Sequence, residues 1–387
     1  MAVKHITILG STGSVGTQTL DLIAENPGAY EVCALIGGRN VALLAAQARQ
    51  FRPALTVISD ASLLPELREA LAGTNLAIAG GREAVLEAAA RPVDWTMSAI
   101  TGIAGLEPTL AAVNHGGIIA FACKEALVSA GDVFLRAIET ANATLLPVDS
   151  EHNAIFQAMA DGNGKAVEKI ILTASGGPFL NHTLEEMHGI TREAALRHPV
   201  WSMGAKISID SATMFNKGLE IIEAARLFGL GSDRIEVLVH PQSIVHGMVC
   251  YADGSVLAQL GSPDMRIPIA HTLAWPARIA TGAPRLDLAA AARLEFFPPD
   301  EKRFPALRLA REALAAGHGA PAVLNAANEV AVAAFLDRKI GFLDISHIVE
   351  AVMQRLGAPP VDDLGAVLAL DIQARDMAAT LTAVKAA

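Results

Sequence analysis

The strongest constraint on the fold lies at the start of the chain, where a short apolar run meets three evenly spaced glycines. His5–Leu9 reads as a strand. It runs into Gly10-Ser11-Thr12-Gly13-Ser14-Val15-Gly16, and the amphipathic stretch Val15–Glu25 reads as a helix. The spacing is GxxGxxG, a variant of the GxGxxG fingerprint. Glycines there permit a tight turn and close backbone approach, and the helix N-terminus offers N–H groups to a pyrophosphate. A glycine-rich turn with no ligand is the plainer alternative, but the strand–turn–helix setting favours a dinucleotide. The next strand, Val32–Ile36, leads into Gly37-Gly38-Arg39-Asn40, with no carboxylate to hold the ribose of NAD. Arg39 favours the 2′-phosphate of NADP, the alternative being a solvated surface arginine.

The alternation continues. Val41–Phe51 and Ser62–Ala72 have helical spacing. Leu55–Ile58, Leu76–Ala79, Trp95–Ser98, Ile118–Ala122 and Ala143–Val148 read as strands. This pattern predicts an α/β protein opening with a doubly wound, Rossmann-like parallel sheet over residues 1–148. A central α+β domain is expected over 149–275, with strands at Lys169–Ala174, Ile235–Val239, Val245–Tyr251 and Ser255–Leu260, the last two joined by a hairpin. The irregular stretch Gly176–Gly204 is long enough to read as a flap. A Pro- and Ala-rich linker is expected over 276–305. A C-terminal helical bundle over 306–387 would be built from Ala306–Ala316, Ala322–Leu336, Ile345–Leu356 and Ile372–Ala386.

Composition excludes several classes of function. Hydrophobic residues make up 52% of the chain and aromatics only 4%, so a packed core of Ala, Leu, Ile and Val is available. The net charge of −10 argues against nucleic-acid binding, and any anionic ligand must be held by a local cluster of donors. Cys33, Cys123 and Cys250 are dispersed and odd in number, which fits a reducing compartment. No apolar run is long enough to span a bilayer, and the opening is unlike a secretion signal. A soluble cytoplasmic protein without membrane or nucleic-acid partners is expected.

Three polar knots carry the chemistry. Asp149-Ser150-Glu151 follows a strand. If the segment stays extended, its two carboxylates face one side and suit a hard divalent cation; a helix N-cap with Glu in the first turn is the alternative. Helical spacing over Asp210–Glu220 would put Asn216, Lys217 and Glu220 near one face, with Glu220 as a third carboxylate and Ser211, Asn216 and Lys217 as anion or hydroxyl binders. An ordinary capped helix with a Lys–Glu pair is the alternative. Ser175-Gly176-Gly177 after a strand is a plausible phosphate cradle, or simply a turn.

Long stretches of the chain resemble the 1-deoxy-D-xylulose 5-phosphate reductoisomerase family: ILGSTGSVG, KEALVSAG, PVDSEHNAIFQ, LTASGGPF, HPVWSMGAKISIDSATMFNKGLE, LVHPQSIVHGMV, DGSVLAQLGSPDMRIPIAHTLAWP and NAANEVAVAAFL. The resemblance implies an NADPH- and metal-dependent oxidoreductase and isomerase. It would convert 1-deoxy-D-xylulose 5-phosphate to 2-C-methyl-D-erythritol 4-phosphate, by retro-aldol and aldol steps and a hydride transfer, in non-mevalonate isoprenoid synthesis. Asp149, Glu151 and Glu220 would be the ligands of Mn, Mg or Co. Lys124, Ser150, Glu151, Ser175, His198, Trp201, Met203, Ser211, Asn216, Lys217 and Glu220 would bind the substrate. Among these, Glu151, Lys124 and His198 are the candidate catalytic residues. Gly10, Thr12, Gly13, Ser14, Val15, Gly16, Gly38, Arg39, Asn40, Ala99, Ile100, Cys123, Glu125 and Gly204 would line the NADPH site. A homodimer is implied, with Val245–Leu260 as a candidate interface.

The chain departs from the family pattern in three places. Cys123 stands where the family usually has Asn, Ala205 replaces a basic residue, and Asp161–Ala166 is shorter than in some relatives. A generic NADP-dependent semialdehyde or homoserine-type dehydrogenase is the competing enzyme reading; it needs no carboxylate trio. His240, His246 and His271 read as structural, as do the thiols of Cys33 and Cys250.

Overall fold

The computed structural model describes residues 3–159, 164–201 and 203–386. Of the stretch 161–166, residues 161–163 lie outside the described residues. The chain packs as two units. One comprises Met1–Ala126, Phe134–Asn153 and Asp264–Pro284; the other comprises Leu127–Val133, Ala154–Pro263 and Arg285–Ala387.

Among the described residues, the first unit carries seven parallel strands: β1 (Lys4–Leu9), β2 (Tyr30–Gly37), β3 (Leu55–Ile58), β4 (Ile78–Gly80), β5 (Trp95–Ser98), β6 (Ile118–Phe121) and β7 (Thr144–Pro147). Their order is β4-β3-β2-β1-β5-β6-β7. Helices cover both faces, so strand side chains of either parity are buried. Ile6, Ile8 and Leu9 of β1 and Trp95 and Met97 of β5 have no exposed surface. The strand order reverses at β1, with β2 on one side and β5 on the other. In a doubly wound sheet, the crevice at the carboxyl ends of such strands is where a dinucleotide lies.

Asp264–Pro284, divided in the sequence reading between the end of the central domain and the linker, folds into this first unit. The reason is apolar burial. Ile269, Ala270 and Leu273 of helix Arg266–Ala274 join the cluster that holds Trp95 and Met97. The Trp95 indole N–H donates to Thr272 O at 3.0 Å, and Lys4 Nζ donates to Leu273 O at 2.8 Å.

The second unit is built on β8 (Val167–Ala174), β9 (Ile235–Val239), β10 (Val245–Tyr251) and β11 (Val256–Leu260), in the order β11-β10-β8-β9. β10 runs antiparallel to β8 and β11, whereas β8 and β9 are parallel. The C-terminal helices do not form a core of their own. Leu307, Leu324 and Val349 share one apolar cluster with Ile170 and Leu172 of β8 and with Phe215, Leu219 and Ile222 of helix Phe215–Phe228. The last helix begins at Leu364, earlier than the expected Ile372. The Asp363 carboxylate accepts from Ala366 N at 2.8 Å, and Val367 is fully buried.

The stretch expected as an irregular flap is partly ordered by packing. Thr183 and Glu186 form a capping box on helix Leu184–Met187, and Thr191 caps Arg192–Ala195. Met187 and Ala195 are fully buried, and Phe179 packs edge-on against Phe342 at 5.3 Å. Arg303 donates to Leu180 O and His182 O, which fixes the base of the stretch. Outside these two short helices, its described residues carry neither helix nor strand.

Candidate active site

In the first unit, the glycine turn leaves β1 at the point where the sheet order reverses. Gly10 N and Ser11 N both donate to Ile36 O of β2, at 2.9 and 2.8 Å. Gly10 has φ +90°, and a Cβ there would lie 2.5 Å from Ala99 O. A Cβ on Gly16 would lie 2.3 Å from Gly10 O, so any larger residue would push the helix off the strand. Ala99 and Ile100 therefore border the turn. Gly13 is the N-cap of helix Ser14–Glu25 and no side chain caps it, so the first-turn N–H groups are not taken by a cap. The whole turn is tied down by a residue the sequence reading passed over. Gln47, buried in helix Val41–Phe51, donates its amide to Ser11 O at 2.9 Å.

At the end of β2, the Asn40 side chain accepts from Leu43 N at 3.1 Å and so serves as a helix cap. Arg39 lies next to it and pairs with Asp60 just past β3. Asp60 is held below the usual carboxylate range, mostly by the Ser62 hydroxyl and N–H, with Arg39 adding to them. Cys123 is fully buried and directs its Sγ to Gly102 O at 3.5 Å. It N-caps helix Lys124–Thr140 without a side-chain capping bond.

Asp149 and Glu151 reach their positions by a different route from the extended one considered above. Ser150–Ala158 is a helix, and Asn153 N donates to Asp149 O at 2.9 Å. Asp149 thus stands at the helix entry and Glu151 in the first turn, the capping arrangement that was the alternative. Both carboxylates are half-buried. Lys124 Nζ is paired with Asp149, and the Ser150 hydroxyl donates to Glu151. Asn153 anchors this turn, donating to Pro147 O at 2.8 Å and meeting His271 Nδ1 at 3.1 Å. Burial, with Arg278 nearby, pushes the His271 imidazole down to about 4. The ring is neutral at neutral pH and Nδ1 can accept from Asn153.

In the second unit, the Ser175 turn packs against the C-terminal end of helix Ala205–Ala212. Gly177 has φ +65°, and a Cβ there would sit 2.9 Å from Ser211 O. Only glycine lets the two backbones approach this closely. Gly177 N donates to Ser175 Oγ at 3.2 Å, and His198 Nε2 lies 2.9 Å from the same oxygen. Val200 N and Trp201 N both donate to His198 Nδ1, at 3.2 and 2.9 Å. Nδ1 is therefore the acceptor, and the His198 proton resides on Nε2 and points at Ser175. Burial keeps this imidazole below its usual range. Ser175 Oγ thus receives two donors, which leaves its own proton to be given to an anion. Trp201 packs edge-on against His246 at 6.2 Å, and Met203 is half-buried beside it in sequence.

Helix Phe215–Phe228 begins after Met214, which has φ +65°, and no side chain caps it. Asn216 and Lys217 in its first turn both donate to the Glu220 carboxylate. Glu220 is 0% exposed and Lys217 3%. The spacing that suggested one polar face is realised, and it is buried. Ahead of this helix, Gly204 is exposed and serves as the N-cap of Ala205–Ala212. In that helix Lys206 pairs with the buried Asp210, which also accepts from Asn328 at 2.9 Å.

Three family models match the chain: 1-deoxy-D-xylulose 5-phosphate reductoisomerase over residues 6–131, its C-terminal domain over 145–228, and the DXP reductoisomerase C-terminal domain over 260–377. The 1-deoxy-D-xylulose 5-phosphate reductoisomerase of Gluconobacter oxydans is 61% identical over 376 residues, covering 97% of this chain and 92% of the relative. The chain belongs to the 1-deoxy-D-xylulose 5-phosphate reductoisomerase family. Members of this family are NADPH-dependent oxidoreductases and isomerases, and the competing dehydrogenase reading is set aside. The solved structure of the Zymomonas mobilis enzyme in complex with NADPH superimposes with a TM-score of 0.94 at 52% identity, covering 98% of this chain and 99% of that one. A second structure, DOX-P reductoisomerase in complex with NADPH, fosmidomycin and magnesium, superimposes with a TM-score of 0.93 at 42% identity, covering 98% of both chains. No helix among the described residues is long and apolar enough to cross a membrane.

Proposed function

We propose that this chain converts 1-deoxy-D-xylulose 5-phosphate to 2-C-methyl-D-erythritol 4-phosphate using NADPH and a divalent cation, with Asp149, Glu151 and Glu220 as the cation's ligands. The observation that carries the reading is the burial of Glu220 beside Lys217 and Asn216, in a unit that also holds a serine–glycine turn packed on Ser211. A fully buried carboxylate is costly unless countercharge is close by. Carboxylate oxygens are hard donors, which suits Mg or Mn. Gly13 caps helix Ser14–Glu25 without a side chain, which leaves first-turn N–H groups for a pyrophosphate.

When bound, the cation supplies Lewis acidity toward the substrate's ketone and hydroxyl oxygens, and NADPH supplies the hydride. The chain's own residues do the rest. Ser175, Ser211, Asn216 and Lys217 hold the phosphate end, which keeps the two carbon fragments in register while one C–C bond breaks and another forms. Ser175 gives its proton to the phosphate because His198 and Gly177 already donate to its oxygen. Lys124, paired with Asp149, steadies negative charge near the reacting carbons, and Glu151 is the carboxylate placed to take a hydroxyl proton. His198, Trp201 and Met203 close over the substrate and exclude water. Thr12, Gly13, Ser14, Val15, Gly38, Arg39, Asn40, Glu125 and Gly204 line the NADPH site.

The enzyme works as a cytoplasmic homodimer. Support for the dimer comes from β11, an edge strand of the second sheet whose Val256 and Leu257 are 51% and 47% exposed. An apolar edge of this kind is normally covered. Following NADPH oxidation at 340 nm with 1-deoxy-D-xylulose 5-phosphate, with and without a chelator, tests the central claim. Turnover that survives exhaustive chelation would remove the carboxylate-held cation from it.

A further inference from the structure

Arg39 is the residue that marks the chain for a 2′-phosphate, and in the structure its guanidinium is already taken at one corner. Arg39 Nη1 lies 2.5 Å from Asp60 Oδ2, yet the arginine side chain is 79% exposed. Asp60 does not follow the arginine about. Its other oxygen, Oδ1, accepts from Ser62 N at 3.0 Å and from Ser62 Oγ at 2.6 Å, capping the short turn Ala61–Leu63. An exposed cation is therefore paired with a carboxylate fixed by its own cap. The segment after β2 that carries Arg39 lacks the acidic residue of an NAD site, but the turn after the neighbouring strand, β3, returns one beside Arg39.

We infer that Asp60 is a specificity-determining residue of the cofactor site: an internal counter-ion that competes with the 2′-phosphate for Arg39 and holds NADPH affinity below what Arg39 alone would give. This rests on the NADPH reading above. A phosphate dianion bound to Arg39 must displace the carboxylate or sit beside it, and both cost free energy. A cofactor without the 2′-phosphate meets neither cost. A surface carboxylate–guanidinium pair is worth up to about a five-fold factor, and like-charge repulsion adds to it. Replacing Asp60 by Asn keeps an oxygen for the Ser62 cap and removes the charge.

The test measures binding directly, by calorimetry or by quenching of protein fluorescence, without substrate or metal, for NADPH, NADH, adenosine 2′,5′-bisphosphate and 5′-AMP. D60N is expected to bind NADPH and the bisphosphate roughly three- to ten-fold more tightly, with NADH and 5′-AMP unchanged, and the gain should shrink at high salt. In R39Q the effect of D60N should vanish, since the carboxylate then has nothing to compete for. Weaker or unchanged NADPH binding in D60N, or tightening that is equal for NADH, overturns the proposal. D60S, which also retains a capping oxygen, separates a charge effect from a folding defect. If the wild type binds the bisphosphate no better than 5′-AMP, the NADPH reading fails itself; if that preference stands while D60N changes nothing, only the role of Asp60 fails.

Discussion

Replacing Lys217 by Met isolates the electrostatic core of the second unit. Lys217 and Glu220 stand three residues apart on one helix, 3% and 0% exposed. The substitution preserves side-chain length and apolar contact but removes the ammonium from a carboxylate that has no access to bulk water. Breaking a buried ion pair from one side costs about 3–5 kcal/mol. Asn216 still donates to Glu220, so the lower end, about 3 kcal/mol, is expected in metal-free protein. With a urea slope near 3 kcal/mol per molar, the unfolding midpoint should fall by roughly 1 M. If Glu220 is a ligand, added Mg²⁺ supplies the missing positive charge and most of the deficit should disappear, whereas the wild type should respond less. The double variant Lys217→Met, Glu220→Gln removes both charges; it should recover stability and lose the Mg²⁺ response. Circular dichroism against urea, with EDTA or Mg²⁺, reads all of this without turnover. An unchanged midpoint in metal-free Lys217→Met would refute the buried-charge argument, and a deficit indifferent to Mg²⁺ would refute Glu220 as a ligand.

Other expectations follow from the same geometry. Ser175→Ala removes a hydrogen bond to a charged group, worth about 1.5–3 kcal/mol, so KM for substrate should rise by at least about ten-fold while NADPH binding is unaffected; steady-state kinetics and cofactor titration decide it. Glu220→Gln should abolish metal-dependent turnover, with NADPH still bound at its wild-type affinity by fluorescence titration. His271 has a folded value of about 4, below its unfolded value, so its contribution to stability is fully present above about pH 6.5 and fades as pH falls toward 4. Because the ring is only half-buried, the loss is at most about 2 kcal/mol. Urea midpoints at pH 7 and 5 should differ less in His271→Gln than in wild type. Gly16→Ala would place a methyl 2.3 Å from Gly10 O, so NADPH affinity should drop at least about ten-fold; unchanged affinity would show that the turn relaxes freely.

What the sequence revealed about the fold depended on whether the signal was local. The Gly10–Gly16 turn was legible because steric exclusion leaves few residues able to stand there, and strand–helix alternation implied a parallel sheet. The order of the strands, and the return of Asp264–Pro284 to the first sheet, depend on which apolar faces match across nearly three hundred residues, and no local spacing encodes that. Asp149 and Glu151 illustrate a local ambiguity. Two residues apart, they suit an extended strand or a helix entry equally well, and the Asn153 bonds to Asp149 O and Pro147 O settle it for the helix. The flap was overestimated because Met187 and Ala195 look unremarkable in a Gly- and Pro-flanked stretch until a core is there to receive them. Gln47 and Asp60 were missed for the same reason. Each acts on a backbone or side chain that its own segment does not contain.

The late return of helix Arg266–Ala274 to the first sheet has a bearing on biogenesis. A ribosome will have released the glycine turn and every parallel strand long before it makes the residues that shield Trp95, so the nascent nucleotide-binding region must wait, incompletely covered, for about a third of the synthesis time. A fragment cut near residue 150 should accordingly be sticky and poorly soluble. Anyone grafting this module elsewhere would need to carry the returning helix with it.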